Sequence, residues 1–136
     1  MGWDTCDKIR KADIAELVGL EITSFPKHTD KVLILCTSDG GVWSFQHIQD
    51  CCEIVEIVDI VGDLADLIGA PLLVAEERCS QESLVPEIEE HFDRGTFTWT
   101  FYEFATIKGS VTVRWLGRSN GFYSEKVYFF MHWASS

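Results

Sequence analysis

The stretch His47-Ile48-Gln49-Asp50-Cys51-Cys52-Glu53 concentrates more chemistry than any other part of this chain. Two adjacent thiols follow a histidine, with carboxylates beside them. Thiolate, imidazole and carboxylate form the donor set of zinc and other transition metals. In an extended strand Cys51 and Cys52 point to opposite faces, so one ion holds both only if the chain turns there. Asp50, a turn-favouring residue, makes that turn plausible. His47, Cys51 and Cys52 are then three local ligands. The fourth is Asp50 or a distant group, with Cys79, His28, His132 and Glu76 as candidates. A zinc ion here is expected to be structural, because no glutamate sits in a His-Glu-x-x-His motif.

The same residues carry two other readings. The cysteines serve as small buried hydrophobes near a satisfied histidine. Alternatively, Cys51 or Cys52 is the nucleophile of a thiol enzyme and His47 its base, although such pairs usually assemble in space rather than in sequence. A Cys51–Cys52 disulfide would close a strained ring between neighbours and is not expected. Five cysteines is an odd count. The N-terminus shows no basic region followed by an apolar run, so the thiols are expected free or metal-bound in a reducing cytoplasm.

A length of 136 residues fits a single domain, residues 1–136, and 46% apolar residues supply its core. The net charge is −11. That charge argues against direct nucleic-acid binding and against an anionic membrane, since both reward Lys and Arg. It favours a basic protein partner. Acidic residues collect at Asp59, Asp63 and Asp66 and again at Glu82, Glu87, Glu89 and Glu90. They are either a solvated surface or the contact set for such a partner. No stretch approaches the roughly 20 apolar residues of a membrane span. Phosphate loops, nucleophile elbows and dinucleotide fingerprints are missing from the sequence.

The elements that would position these groups read mostly as strands. Residues 13–18 suit a helical turn stopped by Gly19. Residues 19–25 alternate as a strand ended by Pro26. Strands over 31–37 and 42–47 flank Asp39-Gly40-Gly41, a hairpin signal that puts His47 at a strand end. β-Branched residues favour a strand over 53–61, with one long helix over 51–68 as its rival. Asp63 can cap a short helix over 63–68 between Gly62 and Gly69. Residues 71–76 read as a strand, and 78–95 as an exposed acidic loop with a helical turn at 86–92. A three-stranded meander closes the chain over 97–107, 111–116 and 122–131, with turns at Lys108-Gly109 and Ser119-Asn120-Gly121. In its first strand Phe97, Trp99 and Phe101 share one face and Thr98, Thr100 and Tyr102 the other, and one aromatic face is expected in the core. The expected class is α+β: mostly antiparallel sheet, a C-terminal β-meander and one short central helix.

Several segments taken together resemble a widespread family of small phage and prophage proteins. They are Gln49-Asp50-Cys51-Cys52-Glu53, the run from Asp59 to Gly69, Ala75-Glu76-Glu77, Trp99-Thr100-Phe101-Tyr102, Ala105-Thr106-Ile107-Lys108-Gly109 and Ser119-Asn120-Gly121-Phe122-Tyr123-Ser124. The likeness runs from about residue 31 to 130, and the family's Cys-Cys motif falls on Cys51 and Cys52. Within such repertoires the chain is similar to zinc-containing anti-CRISPR inhibitors of the type II effector nuclease. That resemblance implies a non-enzymatic protein in the bacterial host cytoplasm that occludes a basic nucleic-acid channel and blocks target-DNA loading. A small metal-dependent or thiol enzyme, and a protein that sequesters a small signalling ligand, are the alternatives.

Overall fold

The computed structural model describes residues 6–80, 96–119 and 123–134. Among the described residues nine strands account for almost all of the regular structure: β1 (Lys8–Lys11), β2 (Ile22–His28), β3 (Val32–Thr37), β4 (Val42–Gln46), β5 (Ile54–Val61), β6 (Val74–Ser80), β7 (Thr96–Thr106), β8 (Gly109–Ser119) and β9 (Tyr128–Trp133). They form a five-stranded sheet in the order β1-β9-β4-β3-β2 and a four-stranded sheet in the order β5-β8-β7-β6. All of these strand pairings are antiparallel. No helix among the described residues is long and apolar enough to cross a membrane.

The α+β expectation is therefore corrected: the described residues are mostly antiparallel sheet and the central helix is absent. Residues Leu64–Leu67 make a single 3-10 turn, as do Ile14–Leu17. Asp63 caps the central turn as expected, its carboxylate accepting from the Ala65 N–H at 2.9 Å. Gly62 and Gly69 bracket it at φ +106° and +87°, left-handed values that stop a helix on both sides. A segment so short cannot repay the cost of nucleating an α-helix. The β-branched run 54–61 is a strand, as its residue types favour.

The C-terminal meander is also corrected. β7 and β8 form its first hairpin, with Thr106 opposite Gly109 and the turn at Ile107 and Lys108. β9, however, leaves β8 and inserts between β1 and β4 of the other sheet. Its apolar residues Phe129 and Phe130 thus pair with Phe45 and Ser44. Pro26 does not end β2. It lies within it, which is tolerated because β2 is an edge strand whose outer N–H groups need no partner. β6 continues to Ser80, into the stretch 78–95 expected as a loop with a helical turn at 86–92; residues 81–95 lie outside the described part of the chain.

The sheets pack face to face through one apolar cluster. Phe45 of β4 meets Tyr102 of β7 at 4.6 Å and Phe129 of β9 at 4.6 Å between ring centroids. Trp43, Val113 and Trp115 complete its centre, all essentially buried. On β7 it is therefore the Thr98-Thr100-Tyr102 face that turns inward. Phe97 and Trp99 bury on the outer face with Leu116 as a second, smaller cluster. Arg114 stacks over Trp99 at 5.1 Å and Arg78 over Phe101 at 5.8 Å, which extends this face with cation–π contacts.

Candidate functional site

His47 follows β4 and Glu53 precedes β5, so the connection between two strands of different sheets carries the whole motif. Glu53 is its centre. The carboxylate is buried, and every approach to it is a donor. His47 Nε2 lies 2.7 Å from Oε2, and the backbone N–H groups of Asp50 and Cys51 donate to Oε2 and Oε1 respectively, at 2.9 Å each. The Gln49 amide, at 3.2 Å from Oε1, also donates to the Glu53 carbonyl at 2.8 Å. The other ring nitrogen of His47, Nδ1, lies 2.6 Å from the Lys126 carbonyl. Each ring nitrogen of His47 therefore faces an oxygen, the Glu53 carboxylate on one side and the Lys126 carbonyl on the other. Burial pushes the Glu53 carboxyl up, but the bonds from His47, Cys51 and Asp50 outweigh it and hold the group down at about 2.

The sulfurs lie outside this network. Cys51 and Cys52 are exposed and joined to each other as a disulfide. The expectation of unpaired thiols is corrected here. The chain turns at 50–52 to deliver two N–H groups to Glu53, and the turn brings both sulfurs to one side. Asp50 is exposed, and its described role is its backbone N–H. In this arrangement both His47 nitrogens are engaged and the two sulfurs are joined. Among the described residues no group of three or more His, Cys, Asp and Glu is arranged to hold a metal ion. The candidate fourth ligands are dispersed. His28 ends β2, Glu76 pairs across from Glu103 in β6, Cys79 lies 3.8 Å from the Thr100 hydroxyl, and His132 Nε2 lies 2.7 Å from Ser44 Oγ.

Of the acidic candidates, Asp59 accepts from Arg114 at 2.6 Å and Asp63 is the cap already described. The Asp66 carbonyl accepts from the Thr106 hydroxyl at 2.6 Å. These three residues therefore perform local structural work. Glu82, Glu87, Glu89 and Glu90 lie outside the described residues.

A second buried carboxylate, Glu125, is not marked by any motif. It accepts from the hydroxyls of Thr96 and Ser119 at 2.5 Å each and of Thr98 at 2.7 Å. Gly117 makes this possible, because a side chain there would collide with Glu125. Beside Glu125 opens a cleft of about 530 Å³ on the inward face of the four-stranded sheet. Its walls are β6 and β7, through Glu77, Cys79, Thr98 and Thr100, and residues 123–127 as they cross towards β9. Tyr123, from the Ser119–Ser124 segment, and Lys126 line it as well. Lys126 belongs to both regions: its carbonyl lies against His47 and the residue lines the cleft, with its ammonium over the Tyr128 ring at 5.2 Å. The sequence offered no sign of Glu125; only a hydroxyl-rich inward face, Thr96-x-Thr98-x-Thr100, hinted that something polar lay against β7.

The chain matches the family model described as Domain of unknown function (DUF7448) over residues 4–129. No curated protein matches it, and no solved structure matches it.

Proposed function

We propose that this chain, which belongs to the DUF7448 family, is a non-enzymatic binding protein that sequesters a small polar ligand in the cleft beside Glu125. The observation that carries this is a buried carboxylate, held by three hydroxyls, in the wall of an open cavity. Its volume of about 530 Å³ falls inside the ~300–1,000 Å³ usual for small-molecule sites. The lining mixes apolar Val127 with polar Thr98, Thr100, Tyr123 and Lys126. The carboxylates Glu77 and Glu125 outnumber the one ammonium, so the favoured ligand is one that donates hydrogen bonds, bearing hydroxyl or amino groups. The resemblance to small phage proteins supplies a setting in which a host cell's signalling molecule is removed by binding alone.

The test is thermal stabilisation by a panel of nucleosides, nucleotides, sugars and amines. A ligand at 100 times its Kd stabilises the folded state by about 2.7 kcal/mol. A saturable rise in Tm with one class, lost in Thr100→Val, supports the proposal. No rise with any member at millimolar concentration overturns it.

The second reading, inhibition of a host CRISPR effector nuclease, is favoured by the net charge of −11. It requires a complex with the purified nuclease that weakens sharply between about 0.1 and 0.5 M salt, as exposed charges are screened. A complex indifferent to salt, or none at all, removes it.

A further inference from the structure

We propose that Cys51 and Cys52 form a reversible thiol–disulfide site that sets the Glu53–His47–Lys126 network. Four observations converge on it. The two sulfurs are joined and exposed, so a small co-reactant can reach them. Cys51 itself donates its backbone N–H to the buried Glu53 carboxylate, and Asp50, its neighbour, donates a second. Glu53 in turn holds His47, and His47 holds the Lys126 carbonyl. The covalent bond therefore constrains the same short turn whose N–H groups satisfy a buried charge. Cys36 and Cys79 are not in a disulfide.

The co-reactant is a low-molecular-weight thiol–disulfide couple. One protein thiolate attacks the small disulfide R–S–S–R, breaking its S–S bond, forming a mixed disulfide and releasing R–S⁻. The second protein thiolate then attacks the protein sulfur of that mixed disulfide and releases the second R–S⁻. The two thiols lose two protons and two electrons, and the small disulfide becomes two R–SH. Reduction runs the same steps in reverse. In the oxidised form the turn is locked with both N–H groups on Glu53. In the reduced form the lock is gone, and the carboxylate depends on the intrinsic preference of residues 50–52 for that turn.

The experiment uses the native chain with no substitution. The protein is equilibrated across glutathione buffers from reducing to oxidising, alkylated, and mapped by peptide. The expected result is that Cys51 and Cys52 lose reactivity together, from complete to none, and recover it together. In parallel, the amide signals of Asp50 and Cys51 and the ring signals of His47 should shift with the same midpoint in nuclear magnetic resonance spectra. The ring of His132, held by Ser44 within the five-stranded sheet, should not move. The proposal is overturned if both thiols stay reactive in the oxidising buffers, if stable mixed glutathione disulfides form at one of them instead, or if the Asp50, Cys51 and His47 signals do not respond. Ligand binding in the cleft plays no part in these readouts, so their failure leaves the sequestration proposal standing.

Discussion

Gly117→Ala tests whether the wall of the cleft is built on close backbone approach. Gly117 lies on the inward face of β8, opposite Thr98. A Cβ placed there stands 2.6 Å from Glu125 Cβ, 2.7 Å from its carbonyl oxygen and 3.2 Å from its Cα. Carbon atoms prefer about 3.5–4.0 Å, so residues 124–126 must retreat by roughly an ångström. These contacts are mainly backbone, and no flexible side-chain tip can swing away. The retreat also stretches the three hydroxyl bonds that hold the Glu125 carboxylate at 2.5–2.7 Å. Overpacking costs about 1–3 kcal/mol, and losing one hydrogen bond to a charged group adds roughly 1.5–3 kcal/mol. A total of about 3–4 kcal/mol in a domain of this size lowers Tm by roughly 10–15 °C. The assay is a reversible thermal melt, paired with ligand-induced stabilisation at a temperature where the variant is still folded. Ile107→Ala, at a position 83% exposed, is the reference and should stay within about 0.5 kcal/mol. If Gly117→Ala melts within about 2 °C of the native protein, the segment does not rest on β8 as described, and the ordered wall of the cleft goes with it.

Three further outcomes are expected. The Glu53 carboxyl sits at about 2 in the folded chain against an ordinary 4.5, so its contribution is fully present above about pH 4.5 and is lost as pH falls towards 2; Glu53→Gln should flatten the fall in Tm over that window, and an unchanged acid profile would contradict the buried network. Asp63→Ala removes the cap of the central 3-10 turn and should cost about 1 kcal/mol, whereas Asp59→Ala breaks an exposed pair with Arg114 and should cost less than about 1 kcal/mol; chemical denaturation measures both, and a larger loss at Asp59 reverses their assigned roles. Zinc titrated into the oxidised protein should leave its Tm unchanged, since the cysteine sulfurs are joined, while the same titration after reduction should raise it. Equal stabilisation of both forms would place any zinc site elsewhere.

The strands were legible where residue type and period agreed. The hairpin around Asp39-Gly40-Gly41 and the β-branched strand at 54–61 follow directly from local preference. The helix expected over 63–68 failed because its cap and its two glycines describe a short 3-10 turn equally well. Only tertiary context, a turn tucked against β8 with Thr106 bonded to the Asp66 carbonyl, decides between the two. The destination of β9 was invisible for a different reason. An Asn-Gly pair after β8 signals a turn but does not specify which sheet the next strand joins. At the site, the sequence located the motif and missed its organisation. Thiolate and imidazole drew notice as metal donors, whereas Glu53 appeared as a bystander. The structure reverses that order, because the carboxylate is the group removed from water and the others turn towards it or away from it.

Burial of two carboxylates in a chain of net charge −11 needs a structural return, since a charge taken out of water must be fully met by donors. Both meet at residues 123–127. From one side, β7 and β8 hold Glu125 through Thr96, Thr98 and Ser119. From the other, the β4–β5 connection holds the Lys126 carbonyl through His47, itself fixed by Glu53. The strand that follows, β9, then enters the five-stranded sheet. The crossing between sheets is thus clamped at successive residues by two independent charged networks, and its side chains form one wall of the cleft. A crossing held only by apolar contacts could slide along the sheet face. One held by a satisfied carboxylate at Glu125 and a histidine bond at Lys126 has one position, because any slip leaves a buried charge unpaired. The cleft therefore inherits its shape from the His47–Glu53 motif, although no residue of that motif lines it.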